Sequence, residues 1–483
     1  MPAKLVTTAI GSAVPASATA TKSALGQFMT SPAVADFMAG MFPPAKLRSL
    51  SLLDAGAGKG VLTRTFLARV QQGDFGVKRA SVSAYELDVQ MLESLRRNLQ
   101  REPSNKVKIV SGDFIERAVH EIKHGESPLH SHAILNPPYK KIGSKSHHRK
   151  LLREVGIETV NLYSAFVGLS VLLLKQEGYL CAIIPRSFCN GPYYRPFREL
   201  LFSKGAIRRI HLFGSRSEAF SDDDVLQENV IILFQRGVRP TEVEVSFSSD
   251  STFFDLRSSR ALFNTVVRPN DPERMIHIPE TADAFPAKFD SSLAQLKIQV
   301  STGPIVDFRL KQHLRKAPDS STVPLLYPGH FGPNGLRWPY GNPKKPSAIV
   351  GNDETEKWLY PNGNYTVVRR FSSKEERRRI VANVVAEENI PSDKIGFENH
   401  LNVFHRGRHG LAKYLAIGLM VYLNSSVIDT CFRSFNGHTQ VNATDLKALL
   451  YPNEERLMRM GKWAATKPAL SQSMIDDYLR RMK

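Results

Sequence analysis

Four consecutive residues, Asn136-Pro137-Pro138-Tyr139, follow a short apolar run and combine hydrogen-bond acceptors with an aromatic ring. Two adjacent prolines cannot continue a central strand or lie inside an ordinary helix, so they form a stiff, extended loop. The Asn136 side-chain oxygen and the Pro137 carbonyl are then two acceptors for the two hydrogens of one amine. Tyr139 offers a face on which a base stacks. The pattern predicts a loop that holds an amine with its lone pair directed at an electrophile.

A glycine-rich turn earlier in the chain begins at Asp54 and continues with Gly56, Gly58 and Gly60. It follows an apolar run and precedes a helical pattern, and glycines there let the backbone approach a ligand closely. It is not a Walker loop, because no Lys-Ser or Lys-Thr pair follows the last glycine. The turn therefore predicts a ligand site at the end of the first strand.

Acidic and aromatic residues end the next two apolar runs. Glu86 is placed to accept hydrogen bonds from ribose hydroxyls. Asp113 can accept a hydrogen bond from an adenine amine, and Phe114 can stack on the adenine ring. Together with the glycine turn, these residues at successive strand ends predict an adenosine-binding site.

The elements that must position these groups alternate between apolar runs and helical patterns from residue 24 to 236. Strands are predicted at 51–54, 82–86, 107–110, 133–135, 179–184, 207–213 and 230–234. Strands alternating with helices predict an α/β fold with a doubly wound, mostly parallel sheet, here of seven strands. No long helix separates the last two runs, so they are predicted to form an antiparallel pair at the sheet edge.

The amino-acid composition changes along the chain and divides it into three parts. Residues 1–23 are rich in Ala, Ser and Thr and predict a flexible N-terminal arm. Residues 24–240 carry the motifs above and predict a catalytic domain. Residues 241–483 are rich in proline, glycine and basic side chains, which predicts a second, α+β domain with many loops.

The charge of the chain favours a polyanionic partner. It has 65 Lys and Arg against 46 Asp and Glu, a formal net charge of +19 over 483 residues. A field of this sign attracts nucleic acid. The sequence has no apolar run of roughly 18 residues, the length needed to span a bilayer, so no membrane contact is expected.

The motif set resembles the TaqI-like N6-adenine DNA methyltransferases, in which the cofactor region precedes the catalytic tetrapeptide. The resemblance covers residues 25–236 and implies a Rossmann-like fold that binds S-adenosylmethionine. It assigns residues 54–60, Glu86 and the Asp113-Phe114 pair to the cofactor, and residues 136–139 to catalysis. Asn136 is also expected at the cofactor. Further cofactor positions are implied in two motifs, at Phe28, Met29 and Thr30 and at Phe166.

The resemblance further implies that the target adenine is rotated out of double-stranded DNA. A second aromatic that holds this base falls on Tyr194, with Tyr193 as the neighbouring candidate. Residues 396–402 and 435–446 resemble the C-terminal recognition region of Type II modification methyltransferases. We therefore expect the second domain to recognise the DNA target, with the DNA in a cleft between the two parts. A monomer in the bacterial cytoplasm is expected, acting beside a separately encoded restriction endonuclease without forming a stable complex with it.

Three alternatives remain open at this point. The same tetrapeptide serves methyltransferases that act on N4 of cytosine or on RNA bases, although Asn136 favours adenine over cytosine. A non-catalytic DNA-binding or specificity protein is the alternative from another class.

The segment His120-Glu121-Ile122-Lys123-His124 matches a zinc-protease motif. Gly125 follows it directly and no third ligand is evident, so no metal is expected.

Overall fold

A computed structural model of the chain describes residues 30–44, 49–100, 106–125, 129–214, 228–239, 241–279, 289, 291–332, 335–339, 345–373 and 375–482. The predicted N-terminal arm, 1–23, and the candidate cofactor residues Phe28 and Met29 lie outside the described residues.

A single large sheet forms the frame of the first half. Its strands are β1 (Leu50–Ala55), β2 (Ala80–Glu86), β3 (Lys106–Ser111), β4 (His130–Leu135), β5 (Leu174–Pro185), β6 (Gly205–Phe213), β7 (Asn229–Arg236), β8 (Glu242–Ser248) and β9 (Arg257–Leu262). They lie in the order β3-β2-β1-β4-β5-β7-β6-β8-β9. The strands from β3 to β5 are parallel, and β7 is antiparallel to both β5 and β6.

The predicted sheet of seven strands is wrong in number, because nine strands join it. β8 pairs parallel to β6, and β9 pairs antiparallel to β8, so the β6–β7 pair does not form the sheet edge. β8 alternates in burial at its start, with Val243 and Val245 inside and Glu242 exposed, which is the two-residue period of a strand. The sheet therefore continues to Leu262, past the domain boundary that the sequence predicts at residue 240.

Helices cover both faces of this sheet. They are α1 (Pro32–Gly40), α2 (Val61–Gln72), α3 (Val89–Leu99), α4 (Phe114–Lys123), α5 (His147–Glu154), α6 (Leu162–Leu173), α7 (Arg195–Lys204) and the short α8 (Phe263–Val266). Successive side chains of a strand point to opposite faces. Leu52 accordingly packs in a core with residues of α1, α2 and α3, and Leu53 packs in a core with residues of α4, α6 and α7.

The second half contains smaller sheets followed by helices. Its strands are β10 (Gln299–Thr302), β11 (Leu314–Arg315), β12 (Thr322–Leu326), β13 (Phe331–Gly332), β14 (Gly335–Leu336), β15 (Ala348–Val350), β16 (Leu359–Pro361), β17 (Tyr365–Arg369), β18 (Ala382–Val385), β19 (Lys394–Phe397) and β20 (Leu401–His405). They form sheets in the orders β10-β20-β17-β18, β11-β15-β12-β19-β16 and β13-β14.

The chain closes with the helices α9 (Lys413–Leu423), α10 (Ser426–Phe435), α11 (Ala443–Lys447), α12 (Glu454–Ala465) and α13 (Gln472–Arg481). These helices share a buried core with β10 and β20, separate from the two cores of the large sheet. Among the described residues, no single helix has the length and apolar character to cross a membrane, whereas the bent pair α9 and α10 meets that test together by length and composition.

Candidate active site

The predicted site residues lie where the strand order of the large sheet reverses. β1 is flanked by β2 on one side and by β4 on the other, so the connections leave in opposite directions. This divergence opens a crevice at the carboxyl ends of the two central strands. Asp54 lies near the end of β1 and Asn136 directly follows β4, so the crevice brings the two predicted halves of the site together.

The glycine turn has the backbone conformation that its sequence predicts. Gly56, Gly58 and Gly60 have φ angles of +80°, +56° and +81°, a region that other residues rarely adopt. A Cβ atom added to Gly58 would meet nothing within 4 Å, and one added to Gly56 would lie 3.6 Å from Cε1 of Phe166. The turn therefore leaves open space beside its backbone, with the Phe166 ring next to it.

The Glu86 carboxylate holds this turn in place. Its Oε2 accepts a hydrogen bond from the Gly58 amide at 2.7 Å. Its Oε1 accepts from the amides of Leu87 and Asp88 at 2.9 and 2.8 Å. A carboxylate has about four acceptor positions. Glu86 is thus a structural anchor of the turn that retains capacity for one more donor, such as a ribose hydroxyl.

Asp54 is a fully buried carboxyl group with one oxygen left over. Its Oδ2 accepts a hydrogen bond from the Thr63 hydroxyl at 2.6 Å. Its Oδ1 is buried and has no partner among the described residues. Burial raises the pKa of Asp54 from 3.8 to about 7, and the nearby Glu86 charge adds to this, while the Thr63 hydrogen bond opposes it. An orphaned acceptor at the crevice fits a donor or cation on a ligand.

The predicted adenine pair lies at the start of α4. Oδ1 of Asp113 caps this helix by accepting from the amides of Ile115 and Glu116. Its Oδ2 lies 2.9 Å from Nε2 of His148 on α5, a partner that the sequence does not indicate. The Phe114 ring is buried and lies 5.0 Å from the Phe166 ring, measured between centroids. Phe114 and Phe166 therefore form one aromatic wall.

The tetrapeptide loop is oriented by its neighbours. Nδ2 of Asn136 donates to the Thr30 hydroxyl at 3.0 Å, which leaves Oδ1 as the acceptor directed elsewhere. The Tyr139 hydroxyl lies 3.3 Å from that Oδ1 and 3.1 Å from the carbonyl of Ile183. Burial raises the pKa of Tyr139 above its ordinary value, so the phenol stays neutral. Thr30 thus contacts the tetrapeptide loop directly.

A cleft of about 480 Å³ opens beside the tetrapeptide loop. Tyr139, Tyr193 and Tyr194 all line it, so the structure brings the predicted aromatic residues together. Tyr194 is 9% exposed, and its hydroxyl accepts a hydrogen bond from the side chain of Asn161. Tyr193 is 73% exposed. One ring is therefore fixed in the wall and the other projects outward.

The opposite wall of the cleft comes from the second half of the chain. Residues 437–440, which follow α10, line the cleft together with the tyrosines. A buried ion pair between Arg186 and Glu228 lies at this junction. NH2 of Arg186 donates to the carbonyls of Arg433 and Ser434 at 2.6 and 2.9 Å. The sequence marks residues 435–446 only as a recognition segment, and nothing in it indicates that this segment completes the cleft.

The residues of the zinc-protease motif lie on α4 and at its end. Glu121 accepts a hydrogen bond from the Tyr85 hydroxyl at 2.8 Å and so belongs to the packing of α4 on the sheet. The rings of His120 and His124 lie 4.2 Å apart at the end of that helix. In the described part of the chain, no three His, Cys, Asp or Glu side chains are grouped as metal ligands.

Comparisons with known proteins bear on this site. The family model of the Eco57I restriction-modification methylase matches residues 64–220. The chain is 49% identical to the Type II methyltransferase M.BsuBI of Bacillus subtilis over 92% of this chain and 90% of the relative. It is 41% identical to the Type II methyltransferase M.PstI of Providencia stuartii over 90% of this chain and 88% of the relative.

A shorter match covers 28% of this chain and 52% of the tRNA1(Val) (adenine(37)-N6)-methyltransferase of Shewanella sediminis, at 27% identity. The two Type II relatives, by contrast, match along nearly the whole chain at identities above 40%. The chain therefore belongs to the Type II methyltransferases of restriction-modification systems, and it is a DNA methyltransferase.

Proposed function

We propose that this enzyme transfers a methyl group from S-adenosylmethionine to N6 of an adenine rotated out of double-stranded DNA. The observation that carries the proposal is the position of the Asn136-Pro137-Pro138-Tyr139 loop. It directly follows β4 at the strand-order reversal, beside the glycine turn, and Tyr139 lines the cleft.

The residues of the crevice fit S-adenosylmethionine. The open space over Gly58, the spare capacity of Glu86 and the Phe114–Phe166 wall suit a ribose and an adenine ring. The orphaned Oδ1 of Asp54 suits the cationic methionine portion. When bound, the cofactor supplies an electrophilic methyl group. Phe28, Met29 and Thr30 are proposed to line its methionine end.

The tetrapeptide prepares the target amine as the nucleophile. Oδ1 of Asn136 and the carbonyl of Pro137 are two acceptors for the two amine hydrogens, and the Thr30 contact keeps the Asn136 amide in the required orientation. Holding both hydrogens turns the nitrogen lone pair out of conjugation with the ring and toward the crevice. The bound cofactor would supply the methyl group to this nitrogen, and one amine proton would be released to solvent.

The tyrosines offset the cost of extruding the base. Taking a base from the duplex costs a few kcal/mol. Stacking contributes roughly 1–3 kcal/mol for each aromatic contact. Tyr139 and Tyr194 are the proposed stacking partners, with Tyr193 at the mouth of the cleft. The free energy of two such contacts is therefore similar to the cost of extruding the base.

Adenine in DNA is favoured over the two closest alternatives. A cytosine N4 enzyme more often has serine in place of Asn136. The name of the Shewanella relative records N6 methylation of an adenine in tRNA, but that match covers only 28% of this chain. A net charge of +19 and the long second half suit a duplex partner. We therefore propose adenine N6 in DNA as the methyl acceptor and keep RNA bases and cytosine N4 as the alternatives.

Methylation of plasmid DNA in cells tests the proposal. Single-molecule sequencing of plasmid from cells expressing the wild-type enzyme is expected to show N6-methyladenine at one short sequence. Asn136→Ala should abolish it, while calorimetry should show nearly unchanged S-adenosylmethionine binding. Methylcytosine at the site, or methylation by the variant at the wild-type level, contradicts the assignment.

The wider role follows from the same family. We infer that methylation protects the host's copies of the site from a separately encoded endonuclease, with which the enzyme forms no stable complex. The enzyme is expected to act as a monomer in the bacterial cytoplasm. The part of the chain that forms the large sheet, up to Leu262, is proposed to perform the chemistry, and the part that follows it to recognise the DNA sequence.

A further inference from the structure

A second pocket, of about 340 Å³, lies in the second half of the chain outside the catalytic cleft. It is built at strand ends, where Tyr327 follows β12, Arg369 ends β17 and Glu398 follows β19. Its mouth is aromatic, because the rings of Phe371 and His400 lie 5.1 Å apart and Phe371 is 40% exposed. The pocket thus offers flat apolar surfaces that suit a planar ring.

One buried polar group in this pocket is left available for a ligand. The Tyr327 residue is 5% exposed, and its hydroxyl has no hydrogen-bond partner among the described residues. A buried hydroxyl without a partner is unfavourable, so a ligand that bonds to it gains affinity. Lys345 lies at the rim, 5.3 Å from the Tyr327 ring centroid, and its half-exposed side chain is ion-paired with Asp307 at 2.7 Å. Arg369 also lines the pocket and is ion-paired with Glu376, and the buried Glu398 carboxylate in the same lining contacts His400.

The pocket lies next to the catalytic cleft. Phe371 pairs with Gln440 in an isolated antiparallel bridge, and Gln440 lines the cleft. Two further backbone hydrogen bonds extend this pairing, from Ser372 to Thr439 at 3.0 Å and from Val441 to Arg370 at 2.7 Å. This short backbone pairing therefore lies between the two openings, so DNA bound in the cleft would pass close to the pocket.

We propose that this pocket receives a second base of the bound DNA, unstacked from the duplex near the target adenine. The aromatic interior stacks on the base, and the Tyr327 hydroxyl bonds to a polar edge atom. The inference rests on the proposed function, because it requires DNA in the catalytic cleft. It adds a base-binding site to an enzyme that otherwise extrudes one base.

Mapping of unstacked bases in the enzyme–DNA complex tests the inference. A duplex carrying the methylated sequence is prepared with 2-aminopurine at one purine position at a time, and thymines are probed with permanganate. With the wild-type enzyme we expect increased fluorescence or reactivity at the target position and at one further position. Phe371→Ala and Tyr327→Phe should remove the second signal and keep the first.

Phe371→Ala should also weaken DNA binding by roughly 5- to 150-fold, the range for loss of one base–aromatic contact. Phe254→Ala is the matched control, because Phe254 is 97% exposed and lies outside both openings. A signal at the target position alone overturns this inference and leaves the proposed function intact. A second signal that survives in both pocket variants also overturns it. The lack of any signal at the target position counts against the proposed base extrusion instead.

Discussion

Asp54 should make S-adenosylmethionine binding depend on pH. Its carboxyl is fully buried, Oδ1 has no partner among the described residues, and burial raises its pKa from 3.8 to about 7. Because the folded-state pKa is raised, the neutral acid predominates below pH 7 and the carboxylate above it. A cationic ligand needs the carboxylate, so we expect binding to strengthen as the pH rises toward 7 and then to level off.

The size of the effect follows from the pKa. At one pH unit below it about one-tenth of the carboxyl is ionised, so affinity at pH 6 should be about tenfold below its plateau, or about 1.4 kcal/mol weaker. Folding stability depends on pH in the opposite direction. The folded protein holds this proton between pH 3.8 and about 7, so stability falls as the pH rises through that window. Asp54→Asn should remove both dependences.

Calorimetric titrations from pH 5.5 to 8 provide the measurement. Asp54→Asn should bind weakly and with little pH dependence, because its amide oxygen still accepts the Thr63 hydroxyl but carries no charge. Thr63→Val should move the wild-type transition to higher pH, since that hydrogen bond lowers the pKa of Asp54. Asp353→Asn, at an exposed position, is the matched control. Equal wild-type affinities at pH 6 and pH 8 would refute this reasoning.

Glu86→Gln should weaken S-adenosylmethionine binding roughly tenfold or more, since hydrogen bonds to charged groups contribute about 1.5–3 kcal/mol. An unchanged affinity in calorimetry would mean that the ribose binds elsewhere. His148→Ala should strengthen binding severalfold by releasing Oδ2 of Asp113 for the adenine amine, whereas weaker binding would show that His148 itself serves the cofactor. Tyr194→Ala should reduce DNA affinity more than Tyr193→Ala, measured by fluorescence anisotropy at matched circular dichroism, and the reverse order would assign the stacking role to Tyr193.

Most strands and the glycine turn of the large sheet could be predicted from the sequence, because they depend on local residue patterns. Apolar runs predict all seven strands from β1 to β7, and the conformation of the glycine turn follows from residue types alone. β9 is the counterexample. Its residues, from Arg257 to Leu262, are largely exposed, so no apolar run marks it. It forms only because β8 supplies a partner.

Contacts between distant parts of the chain could not be predicted from the sequence. The His148–Asp113 contact joins residues 35 positions apart, and the sequence pattern of neither segment predicts it. The wall formed by residues 437–440 depends on how α10 ends against the loop after β5. Likewise, the sequence places Tyr193 and Tyr194 side by side, and only the fold buries one and exposes the other.

The same distant contacts govern how the proposed division of labour can be tested. Truncation near residue 240 would remove β8 and β9 from the sheet. It would also strip the buried Arg186 guanidinium of the Arg433 and Ser434 carbonyls, and Asn190 of the Asp445 carboxyl that it contacts at 3.0 Å. It would also remove Val243, Val245 and Ile276 from the core of the large sheet and expose apolar surface, at about 25 cal/mol for each Å². Such a fragment is expected to unfold, so sequence recognition has to be separated from catalysis by point substitutions in the full-length enzyme.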